Sequence, residues 1–351
     1  MPCVKGEGMA FFRILCYNNP VCPAGRGRRA PARNTNVFGD ADMERQTITI
    51  GLPRALLYYR CYALWKTFFQ ELGMETVVSA PTDREIMERG TALAIDEACL
   101  SLKIYLGHVA ALIGKCDYIL APRVSSFGRH RNMCTRFEST PDLVCNVFRD
   151  SRQKFLSYEV DVEQKKSEED AFLEMGKELG CTAKAAKRAY KAAKKAELAH
   201  HKARVQKQEQ LCRREGMKIL IAAHSYVAED PYMGRTVVDY LKKAGIIPLR
   251  ADLVDRDAAL KRSRELSPTC KWEISREILG GIALRRDAVD GIILLSAFPC
   301  GPDAMVNELI TRRVKGVPIL NLVLDSQSGA AGVETRLESF IDIIRFKEGK
   351  L

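Results

Sequence analysis

With 351 residues, 46% of them apolar and 28% charged, the chain is long enough for two ordinary domains with a real core, and no run approaches the roughly 18 consecutive apolar positions of a membrane span. The net charge of +11 is concentrated: residues 1–45 carry +3 and residues 181–215 carry +8, which is the whole excess. Basic residues gathered on one tail and one helix fit a solvated face better than a nucleic-acid surface, where they would alternate with aromatics.

Residues 1–44 are broken by Pro20, Pro23, Gly25, Gly27 and Pro31 and read as a disordered tail or an over-extended start, with Met43 just ahead of the first clear strand. Cys3, Cys16 and Cys22 then have no role. Residues 9–16 are too short and too interrupted for a signal peptide core, so twelve cysteines imply reduced thiols in a cytoplasm, and metal or redox chemistry before a disulfide framework.

The first lobe is expected at 45–150. A β-branched strand at 47–50 precedes Gly51, a helix runs from about Leu56 to Leu72, a second strand covers 76–79, and a helix starts near Asp83. Another helix follows Cys99, with Leu102, Tyr105, Leu106, Val109 and Ile113 at helical spacing. Residues 117–121 form a strand stopped by Pro122. Residues 151–215, rich in Ala, Lys and Glu with no proline from Glu169 on, are expected to supply two helices broken at Gly180. The second lobe, 216–351, repeats the alternation: strands at 218–223, 246–249, 290–296 and 317–324, and helices at 237–243, 273–280, 302–314 and 334–346. Strands alternating with helices predict parallel α/β sheets with a helical segment between the lobes.

Ligands of open parallel sheets collect beyond the carboxyl ends of the strands. Three cysteines fall there: Cys99 at a helix start behind Asp96 and Glu97, Cys134 in the loop after the 117–121 strand, and Cys300 between the 290–296 strand and a helix. A thiol at a helix start is expected to favour thiolate. Three soft sulfur ligands suit zinc or an iron–sulfur cluster and leave one position open. No Cys-x-x-Cys occurs, which excludes zinc ribbons and ferredoxin-type runs. Cys61, Cys116, Cys145, Cys181, Cys212 and Cys270 lie in helical or apolar contexts and read as core residues. His224, Ser225 and Tyr226, just past a strand, stand where substrate contacts collect; Lys103, Tyr105 and His108 read as the outer and capping faces of a helix. The absence of a P-loop, of a Gly-x-Gly-x-x-Gly after a strand and of a Gly-x-Ser-x-Gly elbow removes three common enzyme classes.

Taken in order, the segments 51–59, 65–69, Asp96-Glu97-Ala98-Cys99, Gly107-His108-Val109, Cys134 before Pro141-Asp142, Asp230-Pro231-Tyr232, Cys300-Gly301-Pro302-Asp303 and 332–340 resemble the CoA-substrate-specific enzyme activase-related family, relatives of 2-hydroxyacyl-CoA dehydratase components. The resemblance covers residues 46–347. It implies two Rossmann-like or flavodoxin-like lobes and a cluster, [4Fe–4S] or double-cubane, held by Cys99, Cys134 and Cys300. It further implies an ATP-dependent activase that delivers a low-potential electron, and a small or acyl-CoA substrate that is reductively dehydrated or reduced. The chain would be a dehydratase-like lyase or reductase component in a homo- or heterodimer, touching neither nucleic acid nor membrane. The alternative is a non-catalytic accessory protein carrying the cluster. Two departures lie near the expected cavity: Thr135 stands where the family usually has Pro, and the segment after Asp325, residues 326–332, lacks the acidic, histidine or threonine side chains usual there.

Overall fold

The computed structural model describes residues 47–327 and 330–347, all within one compact unit, Glu44–Leu351. The expected tail lies outside the described residues. The chain runs through β1 (Thr49–Leu52), α1 (Tyr58–Glu71), β2 (Glu75–Val78), α2 (Arg84–Leu93), α3 (Leu100–Leu112), β3 (Tyr118–Leu120), β4 (Arg123–Ser126), α4 (Thr135–Glu138), α5 (Thr140–Val147), β5 (Lys154–Leu156) and β6 (Glu159–Asp161). Two helices follow, α6 (Glu168–Glu178) and α7 (Ala183–Cys212). The rest comprises β7 (Lys218–Ala222), α8 (Ser225–Ala228), α9 (Gly234–Lys243), β8 (Ile247–Arg250), α10 (Arg256–Leu266), α11 (Glu273–Arg285), β9 (Gly291–Ala297), α12 (Gly301–Arg313), β10 (Ile319–Leu324) and α13 (Ala330–Lys347).

Two four-stranded parallel sheets result, in the orders β2-β1-β3-β5 and β10-β9-β7-β8, with β4 and β6 pairing in a small parallel sheet of their own. In each sheet the chain leaves a central strand to one side, then returns to its other side. The direction therefore reverses between β1 and β3 and between β7 and β9, the switch points at which crevices open in such sheets. The expected lobes are both present. The stretch expected to be helical from residue 151 instead begins with strands: β5 joins β3 through Tyr118 opposite Lys154, and β6 pairs with β4. At three residues each, these strands are too short to show an alternating pattern.

Helix starts are locally encoded. Asp83 accepts the Ile86 amide at 2.8 Å, Ser167 the Asp170 amide at 3.2 Å, and Thr182 the Ala185 amide at 3.2 Å. Glu168, Glu169 and Asp170 then face the positive end of α6, and Gly180, at φ +80°, makes the left-handed turn that separates α6 from α7. The 30-residue α7 is about 45 Å long and lays Ala186, Ala189, Tyr190 and Ala193 into the core beside Phe172.

Strand alternation divides the second lobe. Ile219, Ile221, Ile293 and Leu295 join the core shared with the first lobe, while Leu220, Ile292 and Leu294 face a separate core with α11 and α12. The edge strand β8 is blunted twice. Pro248 offers no amide, and the Gln208 side chain acts like a neighbouring peptide, accepting from Arg250 N at 2.8 Å and donating to Arg250 O at 2.7 Å. Among the described residues, no helix is long and apolar enough to cross a membrane.

Helix α10, absent from the expected elements because its buried face holds only Ala259, Ser263 and Leu266, packs on α11 where Gly280 admits the Ala259 backbone, and Gly281 beside it admits the backbone of Ala251 after β8. The same device joins α2 to α3: a Cβ on Gly90 would stand 1.8 Å from Lys103 O, and one on Gly107 2.0 Å from Ile86 O. Gly90→Ala must therefore push two backbones apart. We expect it to destabilise the fold by about 1–3 kcal/mol or more, read as a lowered urea midpoint, despite alanine's better helix propensity.

Candidate functional site

Cys99, Cys134 and Cys300 each occupy the residue immediately before a helix. All three have extended backbones, at φ −65°, −65° and −95°, and they introduce α3, α4 and α12. Two of the helix starts are tied to each other, and the third is tied to the start of α11. Leu100 N donates to Phe298 O at 2.9 Å, joining the Cys99 helix to the loop that carries Cys300. The Cys134 loop is held by Asn132 N to Lys271 O at 2.9 Å and Glu273 N to Asn132 O at 2.8 Å, and Arg131 clamps the fully buried Glu273 carboxylate. All three cysteines line one cavity at the junction of the two switch points. Cys61, Cys116, Cys145, Cys181, Cys212 and Cys270 do not line it.

The cavity is about 40 Å³, room for a few waters. That falls well short of the roughly 300 Å³ at which small-molecule pockets begin. Its walls are largely apolar, from Leu56, Leu102, Phe137, Trp272 and Ile274. Two buried polar atoms in the wall, Ser101 Oγ and Asn132 Oδ1, find no hydrogen-bond partner among the described residues. Burial pushes the Cys99 thiol up, reinforced by Cys134 and Asp303; burial and the Asp303 carboxylate push Cys300 up as well. The expectation that a helix start makes Cys99 a thiolate is thus not met, because desolvation outweighs the helix dipole. A bound cation reverses that balance, since coordination deprotonates a thiol.

Beside the sulfurs runs a directed hydrogen-bond chain. Tyr226 Oη lies 2.6 Å from His224 Nδ1, and His224 Nε2 lies 3.3 Å from Asp303 Oδ1 and 3.4 Å from Ser275 Oγ. A carboxylate facing Nε2 places the imidazole proton there, leaving Nδ1 to accept from the Tyr226 hydroxyl. Burial, then Asp303 and all three cysteines, hold the Tyr226 phenol protonated, well above its ordinary range. His224 and Tyr226 are therefore where the sequence placed them. Asp303 was missed as a site residue because an acid in the first turn of a helix is ordinary dipole compensation; Ser101, Asn132 and Ser275 carry no sequence signal at all.

His108 belongs to a different network. Arg54 N donates to Ser79 Oγ at 2.9 Å, and the Ser79 and Thr82 hydroxyls lie 2.9 Å from His108 Nδ1 and Nε2. Thr82 donates to Asp230 Oδ2 at 2.5 Å, so it accepts from His108 Nε2–H, and Ser79 donates to Nδ1. Tyr59 Oη and the amides of Tyr232 and Met233 complete the Asp230 carboxylate. This network fastens the first lobe to the second. Burial, with the Arg54 charge, lowers His108 from 6.5 to about 3, so it is neutral at pH 7. Between these values only the unfolded chain holds the proton, and each such pH unit costs about 1.4 kcal/mol of stability. Stability is expected to be complete above pH 6.5 and to fall as the pH drops toward 3; His108→Gln should flatten that slope in urea titrations, at the cost of a lower plateau. Tyr105 is buried, its hydroxyl without a partner among the described residues, and neither it nor Lys103 reaches the cysteine cavity.

Among the described residues, no group of three or more His, Cys, Asp or Glu side chains is gathered tightly enough to hold a single metal ion. A single zinc needs all its ligands within about 2.3 Å of one point. The cysteines of a polynuclear cluster each bind a different iron, so sulfurs around a shared cavity meet a looser requirement. Three thiols around one cavity, with the unpaired Ser101 hydroxyl in its wall, are the donor chemistry such a group takes, since its sulfides accept hydrogen bonds from a hydroxyl.

The family model described as a CoA enzyme activase uncharacterised domain matches residues 49–254, which takes in Cys99, Cys134, His224 and Asp230 and stops before Cys300. No curated protein matches the chain. Solved structures similar to it include a crystal structure of ZnuA, at 10% identity and a TM-score of 0.23, covering 85% of this chain and 98% of that one. A likeness at that score carries no argument here.

Proposed function

The chain belongs to the CoA enzyme activase uncharacterised domain family, and on that premise we propose that it holds an iron–sulfur cluster on Cys99, Cys134 and Cys300 and is reduced by an ATP-dependent activase. The observation that carries the proposal is that three cysteines, far apart in sequence, each begin a helix and line one cavity between two switch points. A bound cluster of this kind takes up and passes on one low-potential electron. The chain's own residues do the rest. Leu56, Phe137 and Trp272 wall the sulfurs, Ser101 offers a hydroxyl hydrogen bond toward them, and Tyr226, through His224 and Asp303, holds a proton in the same site.

The destination of the electron divides into two readings. In the first it reaches a small or CoA-linked substrate that is reduced or dehydrated. In the second the chain is an accessory carrier, and the 40 Å³ cavity favours that reading, since it leaves no space for an acyl thioester. The test is electron paramagnetic resonance of the anaerobically reconstituted, dithionite-reduced protein with and without 2-hydroxyacyl-CoA esters. A reducible cluster signal supports the proposal, and none refutes it. A signal shifted by the ester identifies a substrate-binding enzyme; an unmoved signal identifies a carrier.

A further inference from the structure

A larger hollow lies elsewhere, and the cysteine site does not use it. Between the last turns of α7, the α9 terminus and the edge strand β8 is a cavity of about 690 Å³, within the size range of small-molecule pockets. None of its lining residues also lines the cysteine cavity. Five cations line it, Arg204, Lys207, Arg214, Lys242 and Arg250, against a single carboxylate, Glu229. Two of the five are spoken for: Arg204 and Arg250 both reach Glu229 Oε1 at 2.6 Å, and Arg250 also pairs with Asp252. Lys207 and Arg214 form no ion pair among the described residues, and Lys242 has only Asp239 at 3.9 Å. These three exposed side chains leave the wall positively charged. Apart from Gln208, the rest of the lining is mainly apolar, with Leu211, Ile246 and Pro248.

The edge of the sheet also explains why the hollow stays open. Because Pro248 lacks an amide and Gln208 occupies the Arg250 backbone, no further strand can add there. The groove has no aromatic side chain on which bases of a single strand could stack, which argues against a nucleic-acid track. Part of the charge excess in residues 181–215 thus faces a cavity instead of open solvent.

We propose that this groove binds a small organic phosphate, with its phosphates against Lys207, Arg214 and Lys242 and its apolar body against Leu211, Ile246 and Pro248. The assignment does not depend on the cysteine site, and it is tested on the full chain whether or not a cluster is present. Isothermal titration with ADP as the probe, beside pyrophosphate and adenosine, should show ADP binding, pyrophosphate binding more weakly, and adenosine not measurably. Lys207→Glu with Arg214→Glu, both exposed, should weaken ADP by about tenfold or more, the consequence of losing charge-assisted hydrogen bonds. The melting temperature should not change. If the cations only offset the carboxyl ends of α7 and α9, ADP will not bind or the double variant will bind it unchanged, and either result overturns the proposal. Binding of long polyanions alone, graded by salt and not competed by ADP, overturns it as well.

Discussion

Glu277→Ala should lower the unfolding free energy by about 3–5 kcal/mol in urea, the loss expected when one partner of a buried ion pair is removed. Arg60 on α1 and Glu277 on α11 join the two lobes through two parallel contacts, Nη1 to Oε2 at 2.6 Å and Nη2 to Oε1 at 2.8 Å, with side chains 13% and 5% exposed. The alanine leaves a buried guanidinium with no carboxylate at its fork. Replacing both partners, Arg60→Met with Glu277→Leu, should recover much of the loss, because the desolvation cost disappears with the charges. A double variant no more stable than Glu277→Ala would show that the pair is not what holds the lobes. The pH dependence has a definite sign. Burial alone would raise the Glu277 pKa, but the Arg60 charge, its hydrogen bonds and the Arg256 charge together bring it below the ordinary 4.5. Its stabilisation is therefore full above about pH 4.5 and is lost as the pH falls through the lowered value.

Cys134→Ala and Cys300→Ala should each strip most of the iron from anaerobically reconstituted protein, whereas Cys181→Ala should leave it unchanged. Each of the first two removes a proposed ligand held in place by the fold: Cys134 is set by the Asn132–Lys271 and Glu273–Asn132 backbone bonds, and Cys300 by the loop bonded to Leu100. Cys181, between α6 and α7, lines no part of the cavity and serves as the control for thiol loss. Stability of the protein before reconstitution should change little, since all three are partly exposed. Iron content read together with the urea midpoint thus separates a lost ligand from a damaged fold.

The parts of this architecture that could be read from sequence are those with a local cause. The buried strand Gly291–Ala297 is uninterrupted and apolar, α7 is rich in alanine and lysine, and Asp83 and Gly180 mark helix ends by their own chemistry. The three-residue strands β5 and β6 have no such signature; they exist because β3 and β4 offer edges to pair with. The same division holds at the site. The positions of Cys99, Cys134 and Cys300 just ahead of helices follow from the order of elements, and only Cys300 comes directly after a long strand. The Tyr226–His224–Asp303 chain depends on tertiary approach, and so does the burial of the unpaired Ser101 Oγ and Asn132 Oδ1. Burial also reversed one inference. A thiol at a helix start suggested thiolate, yet burial pushes the Cys99 and Cys300 thiols up, toward the protonated form.

Iron and acid-labile sulfide measured on the anaerobically purified wild-type chain, beside a chain with Cys99, Cys134 and Cys300 all changed to alanine, test the central claim most directly. A brown wild-type protein with about four irons and matching sulfide per [4Fe–4S] cluster, and a colourless triple variant, are the predicted results. Wild-type protein that stays colourless after anaerobic reconstitution, or a triple variant with undiminished iron, would contradict the account.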